Sequence, residues 1–195
     1  MNSPNLINYE LRPAKFTERK MILASLLNVC KVFGHGYQYI GFGGISFTDF
    51  KLFHKELHID QMYSIEGGER IEHDRCEFNC PYSFIKLKFG KSTEELIKLD
   101  FERRTVVWLD YDDDLQNFMF EDVEILFRKL PVGSIFLMSC NRQLKDVNGE
   151  IYSKESFERK FGDYVPYDLK NKDLGGEQNF KTIRRMYLNI INSVL

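Results

Sequence analysis

The chain lacks the features that mark secreted and membrane-spanning proteins, and it carries no excess of charge. Its first residues, MNSPNLINYELRPAK, contain no apolar core of the signal-peptide type, and no stretch of about 18 uncharged apolar residues occurs. The formal net charge is −2 and the isoelectric point is near 6.1, so charge alone attracts the protein neither to nucleic acid nor to acidic membranes. These absences predict a soluble, cytoplasmic protein, and they indicate neither a membrane nor a nucleic-acid partner.

Cysteine is scarce, and its four occurrences lack the spacing of a disulfide framework. Free thiols in a reducing compartment are therefore expected. Three side chains, His73, Cys76 and Cys80, are spaced so that they could present zinc ligands on one helical face. The same spacing describes a buried stripe on a helix, and no fourth soft ligand stands nearby in sequence. We favour the structural interpretation and assign no metal-binding residue.

The size and composition of the chain predict a single domain over 1–195. With 195 residues, of which 43% are apolar and 14% aromatic, the chain can bury one sizeable core and is short for two ordinary domains. The predicted domain has an N-terminal segment and helix (1–34), a Rossmann-like core (35–141), and an excursion with a C-terminal helix (142–195).

Strand-like and helix-like patterns alternate along the chain without repeats. The runs TVVWLD and SIFLMSC are apolar on both faces, as in central parallel strands covered by helices on each side. Strands are predicted at 37–42, 61–66, 82–88, 104–110 and 132–140. Helices are predicted at 16–33, 47–57, 68–78, 92–98, 116–129, 153–161 and 179–194. This alternation predicts an α/β fold with a doubly wound, mostly parallel Rossmann-like sheet of about five strands.

After Asn141 the sequence changes character. Residues 142–178 are rich in Asp, Asn, Lys and Gly, so we expect a long mobile excursion interrupted by one short helix. No later strand is visible that could complete a seven-stranded sheet. The fifth strand is strongly apolar, so we expect its outer edge to be shielded by the C-terminal helix, by a second copy of the chain or by a partner chain.

The most informative motif is a glycine turn within YQYIGFGGISFTDF, residues 37–50. A short strand runs into Gly41, Gly43 and Gly44 and then directly into a helix. Glycines at this place let a nucleotide-like ligand approach the backbone amides and the helix N-terminus. Glu66 ends the next strand, some two dozen residues on, where dinucleotide sites place the acid that binds ribose hydroxyls. Capping of the following helix is the alternative role for this glutamate.

An acidic motif, WLDYDDD, follows the fourth strand. Asp110 closes the strand and Asp112 lies two residues later, at the sheet edge where ligands bind in this class of fold. Either carboxylate is a candidate catalytic base. Asp113 and Asp114 are expected instead to cap the helix that starts near Leu115.

Four blocks in order resemble class I S-adenosylmethionine-dependent methyltransferases. They are INYELRPAKFTERKM, YIGFGG, CPYSFIKLKFG and VVWLDYDD, and they are most similar to a bacterial group described as putative O-methyltransferases. The resemblance covers about residues 7–141. It implies an enzyme that binds S-adenosylmethionine and transfers the methyl group in line to an oxygen or nitrogen acceptor.

The resemblance also implies roles for single residues. The three glycines of the turn would pack against the methionine part of the cofactor, and Glu66 would hold the ribose. The third strand ends in Phe89 instead of the acid that many relatives place near the adenine, so aromatic and backbone contacts would recognise the base. Tyr9 and Arg12, ahead of the first helix, would fold over the cofactor, although a solvated helix face is the alternative for this charged block. The sequence departs from the family signature at Tyr39, where an acidic residue is usual.

Three alternatives remain open at this point. Relatives that use a divalent ion take oxygen ligands from the ends of the fourth and fifth strands, which here carry Asp110, Cys140 and Asn141, so a metal is an alternative and not an assigned cofactor. A non-catalytic binding or assembly protein could keep the fold with a degraded cofactor site. A nicotinamide dehydrogenase fits the glycines and Glu66, but no Tyr-Lys or His-Asp dyad follows the fourth strand.

Overall fold

The computed structural model describes residues 13–34, 36–67 and 70–195, and helices and strands alternate along this part of the chain. The helices are α1 (Pro13–Phe33), α2 (Thr48–Leu57), α3 (Arg70–Asn79), α4 (Ser92–Lys98), α5 (Asn117–Lys129), α6 (Lys154–Phe161) and α7 (Asn179–Val194). The strands are β1 (Gln38–Gly41), β2 (Met62–Glu66), β3 (Ile85–Phe89), β4 (Thr105–Asp110) and β5 (Ile135–Ser139). Every predicted helix and strand is found, with bounds within three residues of the prediction. None of the described helices combines the length and the apolar composition needed to cross a membrane.

The strands form one parallel sheet in the order β3-β2-β1-β4-β5. Tyr39 of β1 lies opposite Met62 of β2 on one side and Val106 of β4 on the other. The chain adds β2 and β3 on one side of β1 and then returns to add β4 and β5 on the other, so the winding reverses between β1 and β4. The predicted doubly wound sheet is therefore confirmed, and such folds bind ligands at the carboxyl ends of the strands beside the reversal. The described residues contain no strand after β5.

The chain forms two compact units. The first contains the described residues up to Asp110 together with Leu130–Met138, and the second contains Tyr111–Lys129 together with Ser139–Leu195. The prediction that residues 1–195 form a single domain stays a prediction.

In the first unit, α1, α2 and α3 share one hydrophobic core with the sheet. Leu26 of α1 and Phe50 and Phe53 of α2 are buried in it. The ring of Tyr39 lies edge-on to both phenyl rings, with centroid distances of 4.7 and 4.9 Å. Edge-to-face ring pairs contribute about 0.5–1.5 kcal/mol each beyond the area that they bury. This core fixes α2 against β1, and it thereby fixes the turn that connects them.

In the second unit, α5 packs against α7. The ring of Phe120 lies 4.7 Å from the ring of Tyr164 and 4.7 Å from the ring of Tyr187. Met186 of α7 is fully buried, as the apolar stripe along the C-terminal helix predicted.

The segment 142–178 is more structured than predicted. Besides α6 it contains 3-10 turns at Gly162–Tyr164 and Asn171–Leu174, and the side chains of Phe157 and Phe161 are buried. Composition alone misleads here, because a few apolar residues among many polar ones anchor the segment through contacts that are distant in sequence.

Candidate functional site

The glycine turn joins β1 to α2 at the carboxyl end of the sheet. A Cβ atom at Gly41 would lie 2.8 Å from Cζ of Tyr39 and would collide with the tyrosine hydroxyl. A Cβ atom at Gly43 would lie 2.6 Å from two carbon atoms of the Phe47 ring and would collide with the Ser64 hydroxyl. The space beside these two glycines, which the sequence suggested for a ligand, is thus taken by the protein's own side chains.

Gly44 has different surroundings. Its φ angle is +53°, in the left-handed region that favours glycine. Apart from Gly44 and its two chain neighbours, no heavy atom of the described residues lies within 4 Å of the position that a Cβ would take. Gly44 is therefore the member of the turn whose backbone is open to the close approach of a ligand.

Glu66 ends β2, and its buried side chain reaches the glycine turn. Its Oε1 accepts hydrogen bonds from the Gly43 amide at 2.9 Å and from the Ser64 hydroxyl at 2.5 Å. Its Oε2 accepts from the Cys76 thiol of α3 at 3.7 Å, and the amide of Gly44 also donates to the carboxylate. The carboxylate therefore ties β2, the turn and α3 together. Helix α3 begins four residues later, at Arg70, and both the ribose role of Glu66 and the alternative capping role stay predictions.

Burial and hydrogen bonding act in opposite directions on this carboxyl group. Burial raises the pKa of the Glu66 carboxyl above its ordinary value, and the hydrogen bonds from Ser64, the turn and Cys76 oppose that rise. Burial and the neighbouring Glu66 raise the pKa of the Cys76 thiol to about 12, so the thiol stays protonated. Because a thiol is a weak donor, the bond from Cys76 to Oε2 is weaker than the bonds from Gly43 and Ser64 to Oε1.

Phe89 ends β3 directly opposite Glu66 in the register of the sheet. Its ring stacks on His73 of α3, with a centroid distance of 4.2 Å and an angle of 23° between the ring planes. The Nε2 atom of His73 is buried and has no hydrogen-bond partner in the described part of the chain. A buried polar atom without a partner costs about 1–3 kcal/mol, so a ligand atom that bonded to Nε2 would recover that cost.

Two cations of α1 meet two carboxylates at the same end of the sheet. The Nζ atom of Lys15 lies 3.3 Å from both carboxylate oxygens of Asp110. Arg19 forms an ion pair with Asp49 of α2, and both residues are buried. The Arg19 guanidinium also lies 5.9 Å from the centre of the Trp108 ring. The charged block around α1 is thus not simply a solvated helix face, because it packs at the carboxyl end of β4.

The pKa shift of Lys15 agrees with a charged pair, whereas that of Asp49 reflects its burial. Burial lowers the pKa of Lys15, but attraction to Asp110 and Glu18 outweighs it, and the pKa is raised above its ordinary value. Burial raises the pKa of Asp49, and Arg19 opposes that rise. The negative charge of Asp110 is therefore compensated by an ammonium group 3.3 Å away.

The rest of the acidic motif belongs to the second unit, where Asp112, Asp113 and Asp114 are exposed. Asp114 accepts a hydrogen bond from the side-chain amide of Asn141 at 2.7 Å. Helix α5 begins only at Asn117 and has no acid in its first turn. The prediction that Asp113 and Asp114 cap this helix is therefore wrong, because residues 115 and 116 stay outside it.

Two predicted cofactor contacts, Tyr9 and Arg12, lie outside the described residues. Within the described residues, no group of three or more His, Cys, Asp or Glu side chains is arranged to hold a metal ion. The three candidate zinc ligands make separate contacts instead: His73 with Phe89, Cys76 with Glu66, and Cys80 with the backbone oxygen of Tyr82.

Sequence reasoning missed several members of this site. Ser64 precedes Glu66 by two residues on a strand, so the period of two could have placed both on one face. Lys15 and Arg19 are four residues apart on a helix, and that spacing could have placed them together on one face. Asp49 and His73 carry no comparable signal, because their positions depend on how α2 and α3 pack against the sheet.

Comparisons with known proteins address the family of the chain. A family model described as "Putative O-methyltransferase" (Methyltransf_35) matches residues 7–195. A comparison with curated protein sequences gave no match.

Two solved structures show similarity at low identity. The precorrin 8W decarboxylase from Methanobacterium thermoautotrophicum is 13% identical with a TM-score of 0.46, and the match covers 62% of each chain. A variant of MtNAS in complex with S-adenosylmethionine is 13% identical with a TM-score of 0.45, covering 63% of this chain and 46% of that one. The chain spans less than two thirds of the length of either structure. Because the family model covers nearly the whole sequence, the chain belongs to the Methyltransf_35 family, which is described as "Putative O-methyltransferase".

Proposed function

We propose that the protein is an S-adenosylmethionine-dependent methyltransferase that acts on an oxygen or nitrogen acceptor. Membership of the family supports methyl transfer, and the family description favours oxygen. The observation that carries the proposal is the hydrogen bond from the Gly43 amide to the Glu66 carboxylate. This bond joins the glycine turn to the acid at the end of β2. Both lie at the carboxyl ends of the strands, near the point between β1 and β4 where the winding reverses and where such folds bind nucleotides.

The residues at this edge fit the cofactor chemically. Gly44 offers an open backbone for close approach. Glu66 Oε2 can accept a hydrogen bond from a ribose hydroxyl, because the side-chain donor beside it is a thiol at 3.7 Å. Oε1 already accepts two hydrogen bonds, so one carboxylate oxygen would serve the ribose instead of the two expected from the sequence.

Phe89 and His73 are the candidates for recognising the adenine. Phe89 lies opposite Glu66 in the sheet, so contacts to the base and to the ribose would be neighbours. The stacked pair offers an aromatic surface, and the buried Nε2 of His73 offers a hydrogen-bonding atom to the base. This pair would replace the acid that relatives place at the end of the third strand.

When bound, S-adenosylmethionine supplies an activated methyl group. The task of the chain is then to orient the acceptor, exclude water and remove one proton. In the first unit, Asp110 is the candidate base, and an acceptor hydroxyl would share its carboxylate with Lys15. Asp112, exposed in the second unit, is the other candidate base. A nitrogen acceptor that is already deprotonated would need neither of these bases.

Isothermal titration calorimetry with S-adenosylmethionine and its demethylated product tests the proposal. We expect the wild type to bind both compounds, and Glu66→Gln to weaken binding by about 1–3 kcal/mol, the cost of replacing a charged hydrogen bond. The surface variant Glu124→Gln, whose carboxylate pairs with Arg128, is the control and should bind as the wild type does. Because Glu66 also holds the turn, denaturation of each variant must show that the protein is folded.

His73→Phe provides a second test that spares the turn. It keeps an aromatic ring beside Phe89 and removes the nitrogen atom, so it should weaken binding with little loss of stability. Absence of binding by the wild type would overturn the proposal. Binding without methyl transfer to any hydroxyl or amine acceptor would favour the non-catalytic alternative, which is consistent with Tyr39 filling the space beside Gly41.

A further inference from the structure

A buried tyrosine separates the two candidate bases along the chain. Asp110 ends β4, Tyr111 follows it, and Asp112 comes next. Within the second unit, Asp112 is exposed, whereas the neighbouring Tyr111 is only 9% exposed. The segment that carries Asp112 therefore starts at an anchored residue, and the contacts of that residue limit where the carboxylate can lie.

Three contacts within the second unit hold Tyr111. Its backbone amide donates a hydrogen bond to the backbone oxygen of Ser139 at 2.9 Å. Its ring lies edge-on to the ring of Phe118 of α5, with a centroid distance of 5.8 Å. Its hydroxyl donates to Oδ2 of Asp122, also on α5, at 2.5 Å. The amide bond fixes the backbone of Tyr111, and the two side-chain contacts fix the direction of its ring.

Asp122 lies on the buried face of α5, where the other side chains are apolar. The buried residues of this helix are Met119, Phe120, Asp122, Val123 and Leu126, and each is 0% exposed. A buried carboxyl group costs free energy that an apolar side chain at the same place would not. Stability alone therefore favours an apolar residue at position 122. The hydrogen bond with Tyr111 is a contact that an apolar residue could not make.

We propose that Asp122 is a positioning residue for methyl transfer. It holds the hydroxyl of Tyr111, and Tyr111 in turn holds the next residue, Asp112, where this carboxylate can take the proton of the acceptor. Asp122 acts through the tyrosine and itself exchanges no proton with the acceptor. The inference rests on the proposed function, since it takes Asp112 as the base.

A set of four variants separates positioning from stability. Tyr111→Phe removes the donor, Asp122→Leu removes the acceptor, and the double variant removes both. Asp122→Asn keeps an oxygen that can accept the bond. We expect the first two variants to unfold at lower urea concentration than the wild type. The double variant should recover most of that loss, because replacing both partners by apolar groups leaves neither one unsatisfied.

Backbone ¹⁵N relaxation measures the position of Asp112 without any acceptor. We expect an order parameter near about 0.85 for its amide in the wild type and in Asp122→Asn, as in rigid backbone. In Tyr111→Phe, Asp122→Leu and the double variant it should fall toward about 0.6 or below. The controls Glu121→Gln, at the exposed neighbouring position of α5, and Tyr167→Phe, whose ring is 92% exposed, should match the wild type.

Methyl transfer gives the second measurement. In the three variants that lack the bond, kcat should fall at least tenfold while the KM for S-adenosylmethionine stays unchanged, and Asp122→Asn should retain its turnover. A double variant that regains the wild-type order at Asp112 together with its stability overturns the inference, because the bond would then serve folding alone. So does a Tyr111→Phe protein with unchanged order. A wild type that binds no S-adenosylmethionine overturns the proposed function instead, and the order at Asp112 still decides whether Asp122 positions this segment.

Discussion

At the scale of single residues, the glycines of the turn are required for different physical reasons. A methyl group at Gly43 would collide with the Ser64 hydroxyl and the Phe47 ring, both of which are buried. We therefore predict that Gly43→Ala lowers the free energy of unfolding by about 1–3 kcal/mol, the usual cost of overpacking. Urea denaturation of the variant and the wild type measures the difference.

Gly44 supplies the control for that prediction. Its φ of +53° is one that asparagine also adopts, and the described residues outside its chain neighbours leave the space within 4 Å of its Cβ position open. Gly44→Asn should therefore change the free energy of unfolding by less than about 1 kcal/mol, since a side chain that enters open space and keeps the backbone conformation costs little. Equal losses at both positions would show that strain in the turn, and not a collision at Gly43, makes these glycines necessary.

The sequence was sufficient to locate Glu66 but not to define its contacts. The strand pattern predicts that β2 ends at Glu66, and the observed strand end confirms the prediction. Which atoms the carboxylate contacts depends on the packing of α3, which brings Cys76 to Oε2, and on the turn, which brings the Gly43 amide to Oε1. Neither contact leaves a signal in local sequence spacing.

At the scale of elements, α1 is held at the carboxyl end of the sheet by two ion pairs of unequal burial. Arg19→Met would leave the Asp49 carboxylate buried without its guanidinium partner, and we predict a loss of about 3–5 kcal/mol in the free energy of unfolding. Lys15→Met removes a pair whose side chains are 26% and 21% exposed, so its cost should be about 0–1 kcal/mol. Urea denaturation of both variants compares the two contacts on one helix.

The double variant Arg19→Met with Asp49→Asn separates the buried charge from the packing of α1. It should recover part of the loss, since it removes the carboxylate that the single variant leaves uncompensated. If Arg19→Met costs no more than Lys15→Met, the Arg19–Asp49 pair does not hold α1 in place.

The elements themselves follow from the sequence because each carries its own periodicity. Strand β4 is apolar on both faces, and α7 repeats apolar residues at helical spacing, so each could be placed without knowledge of the rest. The 3-10 turns within 142–178 could not be placed, because burial of Leu169 and Leu174 depends on contacts that no local window contains.

At the scale of the whole molecule, shielding of the β5 edge by a second copy of the chain, which is one of the expectations from the sequence, would couple stability to protein concentration. A partner that binds only the folded state stabilises it by mass action, so the melting temperature of a dimer rises with concentration while that of a monomer does not. We predict a rising melting temperature for the wild type across a dilution series in scanning calorimetry, and a constant one for Phe136→Lys with Met138→Lys. A constant melting temperature in the wild type contradicts pairing of two copies. A rise of equal size in both proteins means that the copies associate through a surface other than β5, because the lysine variant places charge only on that strand.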